Sequence, residues 1–172
     1  MKIYEIEIEL NEIKPRVWRK FILEGMATLD MLHLTIQGAM GWRNCHIYEF
    51  NINGQVYGDD VNRMPTVSEV LQKDTMFTYI YDFGDNWVHR VKVTELRERT
   101  RYDAYHKCIA GEKACPPEDC GGVFGYYDLI KILSNKSHPE YKLNRKWAGG
   151  FNPDVFSVTQ ASAMISALLA LR

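Results

Sequence analysis

Two short segments of the chain combine acidic side chains and turn residues with groups that can bind metals or transfer protons. The first runs from Tyr81 to His89 (YDFGDNWVH), and the second runs from Cys115 to Gly122 (CPPEDCGG). Carboxylates near an imidazole can bind a metal ion, orient a general base or hold a cationic ligand. The two segments therefore predict where a functional site lies, and their residue types fit more than one chemistry.

The first segment supplies three candidate catalytic residues, His89, Asp82 and Asp85. Tyr81 and Trp87 join them as candidate binding residues. On a strand, His89 follows Trp87 on the same face at a spacing of about 7 Å. The structural alternative is that the aspartates bond their own turn, since Asp and Asn often do so, and that the histidine packs in the core.

The second segment predicts a rigid acidic bend. Pro116-Pro117 is stiff and Gly121-Gly122 is permissive, so Glu118 and Asp119 are presented together as candidate binding residues. Adjacent carboxylates repel each other unless a cation or hydrogen-bond donors neutralise them. The alternative is that one of them interacts with the exposed backbone amides of a helix that begins after the bend.

The cysteines offer a zinc site as a further hypothesis. Cys108, Cys115 and Cys120 are separated by six and four residues, and either His89 or His106 completes a four-ligand set with them. Buried free thiols are the favoured interpretation, because free cysteine is among the most frequently buried residues. A divalent metal is thus the one cofactor that the sequence suggests.

Hydrophobic alternation predicts the strands that position these residues. Phe77, Tyr79 and Tyr81 alternate into the first segment, and Trp87 and His89 alternate out of it. If both sets of odd-numbered residues face one core, the sequence numbers of any two residues paired across the strands must add up to an even number. Pairing Tyr81 with Trp87 and Tyr79 with His89 meets this condition and leaves residues 82–86 as the hairpin loop.

The same patterns predict an α+β fold in a single domain. Residues 1–96 are strand-rich and antiparallel with one packed helix, residues 97–122 are irregular, and residues 123–172 are helical. Thr28 is a candidate N-cap of the packed helix and Gly41 its C-terminal glycine. His33 on this helix and His46 on the next strand are predicted to be packed core histidines, and a histidine cluster is the alternative if both approach His89.

Composition restricts the class of protein. The 172 residues are 46% hydrophobic and 25% charged, with a net charge of -1, which is typical of a soluble globular protein. With this charge balance, the protein has no overall electrostatic field that would attract nucleic acid or a membrane surface. The alternative is local contact with phosphates through the basic run of Arg97, Arg99 and Arg101 beside Tyr102 and Tyr105. The amino terminus shows no signal peptide, so we expect a cytoplasmic protein with reduced thiols.

Taken together and in order, these segments resemble the plasmid pRiA4b ORF-3-like family. The likeness covers most of the chain and rests on several motifs, namely Pro15-Arg16-Val17-Trp18-Arg19, Leu32-His33, Gly41-Trp42, His46-Ile47-Tyr48-Glu49-Phe50, the segment Tyr81–His89, Cys108-x-x-Gly111 and the segment Cys115–Gly122. The resemblance implies one α+β domain of plasmid- and mobile-element-borne proteins. It implies no established activity and no assigned catalytic residues.

Two functions of different classes fit these observations. The first is a binding module with a cleft between the Asp82–His89 hairpin and the Pro116–Gly122 bend, whose partner is a protein, a small polar molecule or nucleic acid. The second is a metal-dependent hydrolase, of phosphodiesters for example, in which Asp82, Asp85, Glu118 and Asp119 hold the cation and His89 is a ligand or general base. Either function requires the two segments to converge, and the absence of a complete nucleophile–base signature favours the first.

Overall fold

A computed structural model describes residues 1–58, 64–103 and 106–171 of the chain. These residues form strands β1 (Lys2–Leu10), β2 (Trp18–Glu24), β3 (Tyr48–Ile52), β4 (Gln55–Gly58), β5 (Met76–Tyr81), β6 (Trp87–Glu98) and β7 (His106–Glu112). Their helices are α1 (Leu29–Met40), α2 (Val67–Val70), α3 (Gly122–Ser134), α4 (Tyr141–Ala148) and α5 (Val158–Ala170). The α+β prediction is confirmed.

The described strands form one antiparallel sheet in the order β4-β3-β5-β6-β1-β2-β7. Strand β1, between β6 and β2, buries Ile6, Ile8 and Leu10 on one face, while the alternating glutamates lie on the solvated face. Helices α1 and α5 cover the buried face. They approach closely at Gly38, where a β-carbon would lie 2.5 Å from the backbone nitrogen of Ile165.

The hairpin of β5 and β6 has the register that parity predicts. Tyr81 pairs with Trp87 and Tyr79 pairs with His89, so residues 82–86 form the loop. Asp82 and Asn86 both adopt positive φ angles, 56° and 55°, which asparagine and aspartate tolerate better than most residues. The loop closes with a hydrogen bond of 2.6 Å from the amide of Asn86 to the carbonyl of Asp82.

The prediction that residues 97–122 are irregular is wrong in part. Strand β6 continues to Glu98, and β7 forms an edge of the sheet by pairing with β2. The sequence of β7 (HKCIAGE) lacks clear alternation, since only Cys108 is fully buried. Pairing with a distant strand, and not a local pattern, makes this segment extended.

The charge of the basic run at the end of β6 is partly neutralised. Arg97 donates two hydrogen bonds to the carboxylate of Asp103, at 2.7 and 2.6 Å, and Arg101 lies over the ring of Tyr102. Tyr105, the remaining aromatic residue of the predicted patch, lies outside the described residues. In the part of the chain that the structure describes, no helix has the length and apolar character needed to span a membrane.

Candidate functional site

The hairpin loop directs one carboxylate oxygen of Asp82 away from its own turn. The other oxygen, Oδ1, accepts hydrogen bonds from the amides of Gly84, at 2.9 Å, and Asp85, at 3.4 Å. The residue is only 7% exposed. This is the Asx turn expected from the sequence, but it uses Oδ1 and leaves Oδ2 for another partner.

The acidic bend is attached to the hairpin through Glu118. Its Oε1 accepts hydrogen bonds from the amide of Arg43, at 2.8 Å, and from the hydroxyl of Tyr81, at 3.1 Å. The indole of Trp42 donates to the carbonyl of Pro116 at 3.0 Å, which fixes the start of the bend. Glu118 is nearly buried. Its Oε1 is held in place by hydrogen bonds from Arg43 and Tyr81.

The Tyr81 hydroxyl connects three parts of the chain. It accepts a hydrogen bond of 3.1 Å from the amide of Cys45 and donates its own proton to Glu118. Burial raises the pKa of Tyr81 well above its usual range, and the negative charge of Glu118 adds to this effect. The phenol therefore stays protonated and remains a donor to the carboxylate.

A second attachment joins Asp85 to the start of α3. The amide of Gly121 donates to Oδ2 of Asp85 at 3.1 Å, and a β-carbon on Gly122 would lie 2.6 Å from the carbonyl oxygen of Asp85. An acidic residue at a helix start is favourable because the exposed amides carry partial positive charge. Asp85 has the helix-start role that the sequence assigned, as an alternative, to Glu118 or Asp119.

His46 lies at the centre of the arrangement, although the sequence placed it in the core. Its Nε2 lies 3.2 Å from Oδ1 of Asp119, 3.6 Å from Oδ2 of Asp82 and 3.8 Å from Oε2 of Glu118. This nitrogen is inaccessible to solvent and has no hydrogen-bond partner among the described residues. We call His46, Asp82, Glu118 and Asp119 the junction cluster.

Strand register brings His46 to this position. Tyr48 pairs with Tyr81, and the amide of Asp82 donates to the carbonyl of Ile47 at 3.0 Å. The residue before Ile47 must then lie beside the hairpin loop. This signal was present in the sequence as the Cys45-His46 pair ahead of an aromatic strand, but its significance depends on which strand is the neighbour.

The junction cluster has the composition and spacing of a metal-ligand set. The ligand atoms of His46, Asp82 and Asp119 lie within 4.8 Å of one another, as do those of Cys45, His46 and Glu118. Two ligand atoms bound at about 2.1 Å to a tetrahedral zinc ion lie about 3.4 Å apart. The three nitrogen–oxygen distances of 3.2 to 3.8 Å are close to that separation.

Comparison with known proteins identifies the family. The family model described as "Plasmid pRiA4b ORF-3-like protein" matches residues 2–160. The chain belongs to the plasmid pRiA4b ORF-3-like family. It is 30% identical over 163 residues to the uncharacterised protein y4hQ of Sinorhizobium fredii, covering 88% of this chain and 84% of that protein.

A solved structure has the same fold. It is the crystal structure of a protein of unknown function from Methanosarcina mazei, which is 30% identical and superposes with a TM-score of 0.84. The match covers 92% of this chain and 96% of the other. The resemblance to the plasmid pRiA4b ORF-3-like family that the motifs indicate is thus confirmed.

In this member of the plasmid pRiA4b ORF-3-like family, His89 lies in the core and is not part of the junction cluster. Its side chain is fully buried, its Nδ1 lies 3.2 Å from the carbonyl oxygen of Tyr79, and its ring contacts Trp42 edge-on. Burial lowers the pKa of His89 to about 4. Trp87 is also buried, on the same face of the strand.

The structure does not assemble the predicted zinc set. Neither metal-ligand group found among the described residues contains His89, His106, Cys108, Cys115 or Cys120. The sulfur of Cys108 is hydrogen-bonded to the carbonyl of Ala110 at 3.5 Å. Burial raises the pKa of Cys115 well above its usual range and that of Cys120 to about 12, which keeps both thiols protonated.

A cleft also separates parts of the two segments, but it lies apart from the junction cluster. Its volume is about 380 Å³, and its wall includes Asp85, Asn86, Trp87, Gly121 and Gly122. None of the four cluster residues lines it. The two segments therefore converge, as both candidate functions require. The junction cluster forms where the segments touch and does not extend across the cleft.

Proposed function

We propose that this protein is a binding module whose ligand at the junction cluster is a divalent metal cation. One observation supports the proposal above all. The three carboxylates direct one oxygen each at the unpartnered Nε2 of His46, and two of them, Asp82 and Glu118, have their other oxygen fixed by protein donors. Such outer donors are how proteins orient metal-binding carboxylates.

A cation also accounts for the charge of the junction cluster. Three carboxylates around one imidazole leave excess negative charge, and Glu118 and Asp82 are both nearly buried. Ion pairs to a protonated histidine are usually 2.7 to 2.9 Å long. The distances of 3.2, 3.6 and 3.8 Å are longer than this and close to the separation of two ligands on one metal ion.

The donor atoms indicate the kind of metal. Imidazole nitrogen favours zinc and its neighbours in the first transition row, while carboxylate oxygen also suits manganese and magnesium. The thiol of Cys45, close to His46 and Glu118, adds a soft donor at the edge of the cluster. We therefore expect Zn²⁺ to bind most tightly, followed by Mn²⁺, with Mg²⁺ weakest.

The test is calorimetric titration of chelator-treated protein with Zn²⁺ and Mn²⁺. Asp82→Asn keeps the Oδ1 acceptor of the turn but removes the charge at Oδ2, so we expect metal affinity to fall at least about 100-fold with the fold retained. Asp85→Asn is the matched control, because it removes one charge from the same loop outside the cluster and keeps a side-chain oxygen that accepts the hydrogen bond from Gly121. It should bind the metal as the wild type does.

The proposal is overturned if the wild type takes up neither metal in stoichiometric amount. It is also overturned if both variants lose affinity equally, since the loss would then reflect the loop and not the ligand.

A metal-dependent hydrolase is the second candidate. Asp119 favours it, because its side chain is 64% exposed and leaves one side of the junction cluster open to solvent and substrate. His89 does not lie in this cluster, so it is neither the ligand nor the general base of such a site. Hydrolysis of bis(4-nitrophenyl) phosphate by zinc- or manganese-loaded protein, lost in Asp82→Asn and retained in Asp85→Asn, would distinguish this candidate from binding alone.

A further inference from the structure

A groove runs between α3 and α4 and ends at the junction cluster. Its volume is about 490 Å³, which is within the range of cavities that hold small ligands or single side chains. Its lining residues are Asp119, Cys120, Gly125, Asp128, Leu129, Ile132, Leu143, Asn144 and Trp147. We call it the α3–α4 groove.

The walls of the groove are apolar, and one of them is aromatic. Leu143 and Trp147 lie four residues apart on α4, so they form one face of that helix. Leu143 is 70% exposed and Trp147 is 50% exposed, whereas Leu129 opposite them is buried. An indole with this exposure offers one face to a ligand.

The charged groups of the groove have a single sign. Asp119 and Asp128 both line it, and no lysine, arginine or histidine does. The Asp128 carboxylate has no ion-pair or hydrogen-bond partner among the described residues, and Asp119 is within ion-pair distance of His46 alone. A groove with two carboxylates and an open indole face is complementary to a cation that has an apolar stem.

We propose that the α3–α4 groove binds the arginine side chain of a partner peptide. The planar guanidinium stacks on the indole of Trp147 and pairs with the carboxylate of Asp128, and its methylene stem packs against Leu143. Asp119 adds negative charge at the inner end. This proposal does not depend on the metal site, because all these contacts are available in metal-free protein.

The charges of the lining favour a basic peptide over nucleic acid. Lys142 and Lys146 on α4 do not line the groove, so they attract phosphates only from outside it. A base inserted beside Trp147 would bring its phosphate toward Asp119 and Asp128. An arginine side chain meets no such repulsion.

The experiment compares two blocked tripeptides, acetyl-Ala-Arg-Ala-amide and the same peptide with citrulline, in the presence of a chelator. Citrulline has nearly the shape of arginine but no charge. The readout is the NMR signal of the Trp147 indole N–H, assigned through Trp147→Leu. We expect the arginine peptide to shift this signal in a saturable manner and the citrulline peptide to bind at least about threefold more weakly.

Variants locate the binding site. Trp147→Leu and Asp128→Asn should each weaken the arginine peptide at least about threefold, measured by fluorescence anisotropy of a labelled peptide. Phe124→Leu and Asp154→Asn are the matched controls, since they change an exposed aromatic and an exposed acid outside the groove. Both controls should retain wild-type affinity.

Several outcomes would overturn the inference. Equal binding of the arginine and citrulline peptides, equal effects of groove and control variants, or tighter binding of a single-stranded oligonucleotide than of the peptide would each do so. If the arginine peptide does not bind but the metal does, this inference is wrong and the proposed function is unaffected. Peptide binding without metal binding would overturn the proposed function alone.

Discussion

The phenol oxygen of Tyr81 joins the hairpin, the acidic bend and the segment before β3. It accepts from Cys45 and donates to Glu118, and Glu118 in turn contributes to the junction cluster. The oxygen does not belong to either metal-ligand group, yet it donates a hydrogen bond to a carboxylate of the proposed metal site. Replacing a residue that orients a ligand in this way typically lowers metal affinity about 10- to 100-fold.

Tyr81→Phe should therefore weaken metal binding without removing any ligand. We expect a loss of about 10- to 100-fold in affinity for Zn²⁺, measured by competition with a chromophoric chelator. Tyr127→Phe is the control, because its hydroxyl accepts a hydrogen bond of 2.8 Å from the amide of Lys14, in another part of the molecule. If Tyr81→Phe binds zinc as tightly as Tyr127→Phe does, the orienting role is wrong.

At the scale of elements, the start of α3 holds the acidic bend against the hairpin. Gly121 and Gly122 have positive φ angles of 90° and 66°, and a β-carbon on Gly125 would overlap the carbonyl oxygen of Cys120. The glycines thus allow the bend to fold back over the first turn of the helix. The sequence predicted this bend and this helix, but the close approach to the hairpin required the tertiary structure.

Gly125→Ala should displace the bend and disrupt the junction cluster. Because the backbone of Cys120 cannot move away without shifting Asp119, we expect a loss of about 1 to 3 kcal/mol in the free energy of unfolding, together with weaker metal binding. Urea denaturation and calorimetry would measure the two effects. Gly150→Ala is the control, since a β-carbon there meets nothing within 4 Å. Equal behaviour of the two variants would contradict the prediction.

At the scale of the whole molecule, the core contains two histidines that contribute to its pH dependence. His33 is buried between Tyr79 and Asn44, with hydrogen bonds of 2.8 and 2.6 Å, and His89 is buried beside Trp42. Burial lowers the pKa of each from 6.5 to about 4. The folded protein therefore keeps both rings neutral where the unfolded chain would protonate them.

The free energy of unfolding should decrease as the pH falls from about 6.5 to about 4, the window between the unfolded and folded pKa values. Below pH 4 both states bind the protons and the loss ends. The change from 6.5 to about 4 corresponds to about 3 kcal/mol for each histidine.

Urea denaturation of the wild type and of His89→Met at several pH values would measure this effect. The variant should show a clearly shallower dependence, whereas the partly exposed His138→Gln should keep that of the wild type. An unchanged slope in His89→Met would contradict the assignment.

The sequence by itself determined the local structure of this protein and the acidic half of its candidate site. Alternation and parity predicted the β5–β6 register because a strand has a period of two residues. The glycines and prolines predicted the acidic bend because they restrict or free the backbone locally. The sequence also placed His33 correctly in the core, where it packs on Tyr48.

Only the tertiary structure decided which residues meet. His46 was predicted to lie in the core and His89 to be a site residue. The fold places His89 in the core and His46 in the junction cluster, because the pairing of β3 with β5 brings residue 46 beside Asp82. Strand β7 was missed for the same reason, since an edge strand takes its conformation from a distant partner. Contacts between remote segments depend on the packing of the whole chain, which a local pattern of residues does not contain.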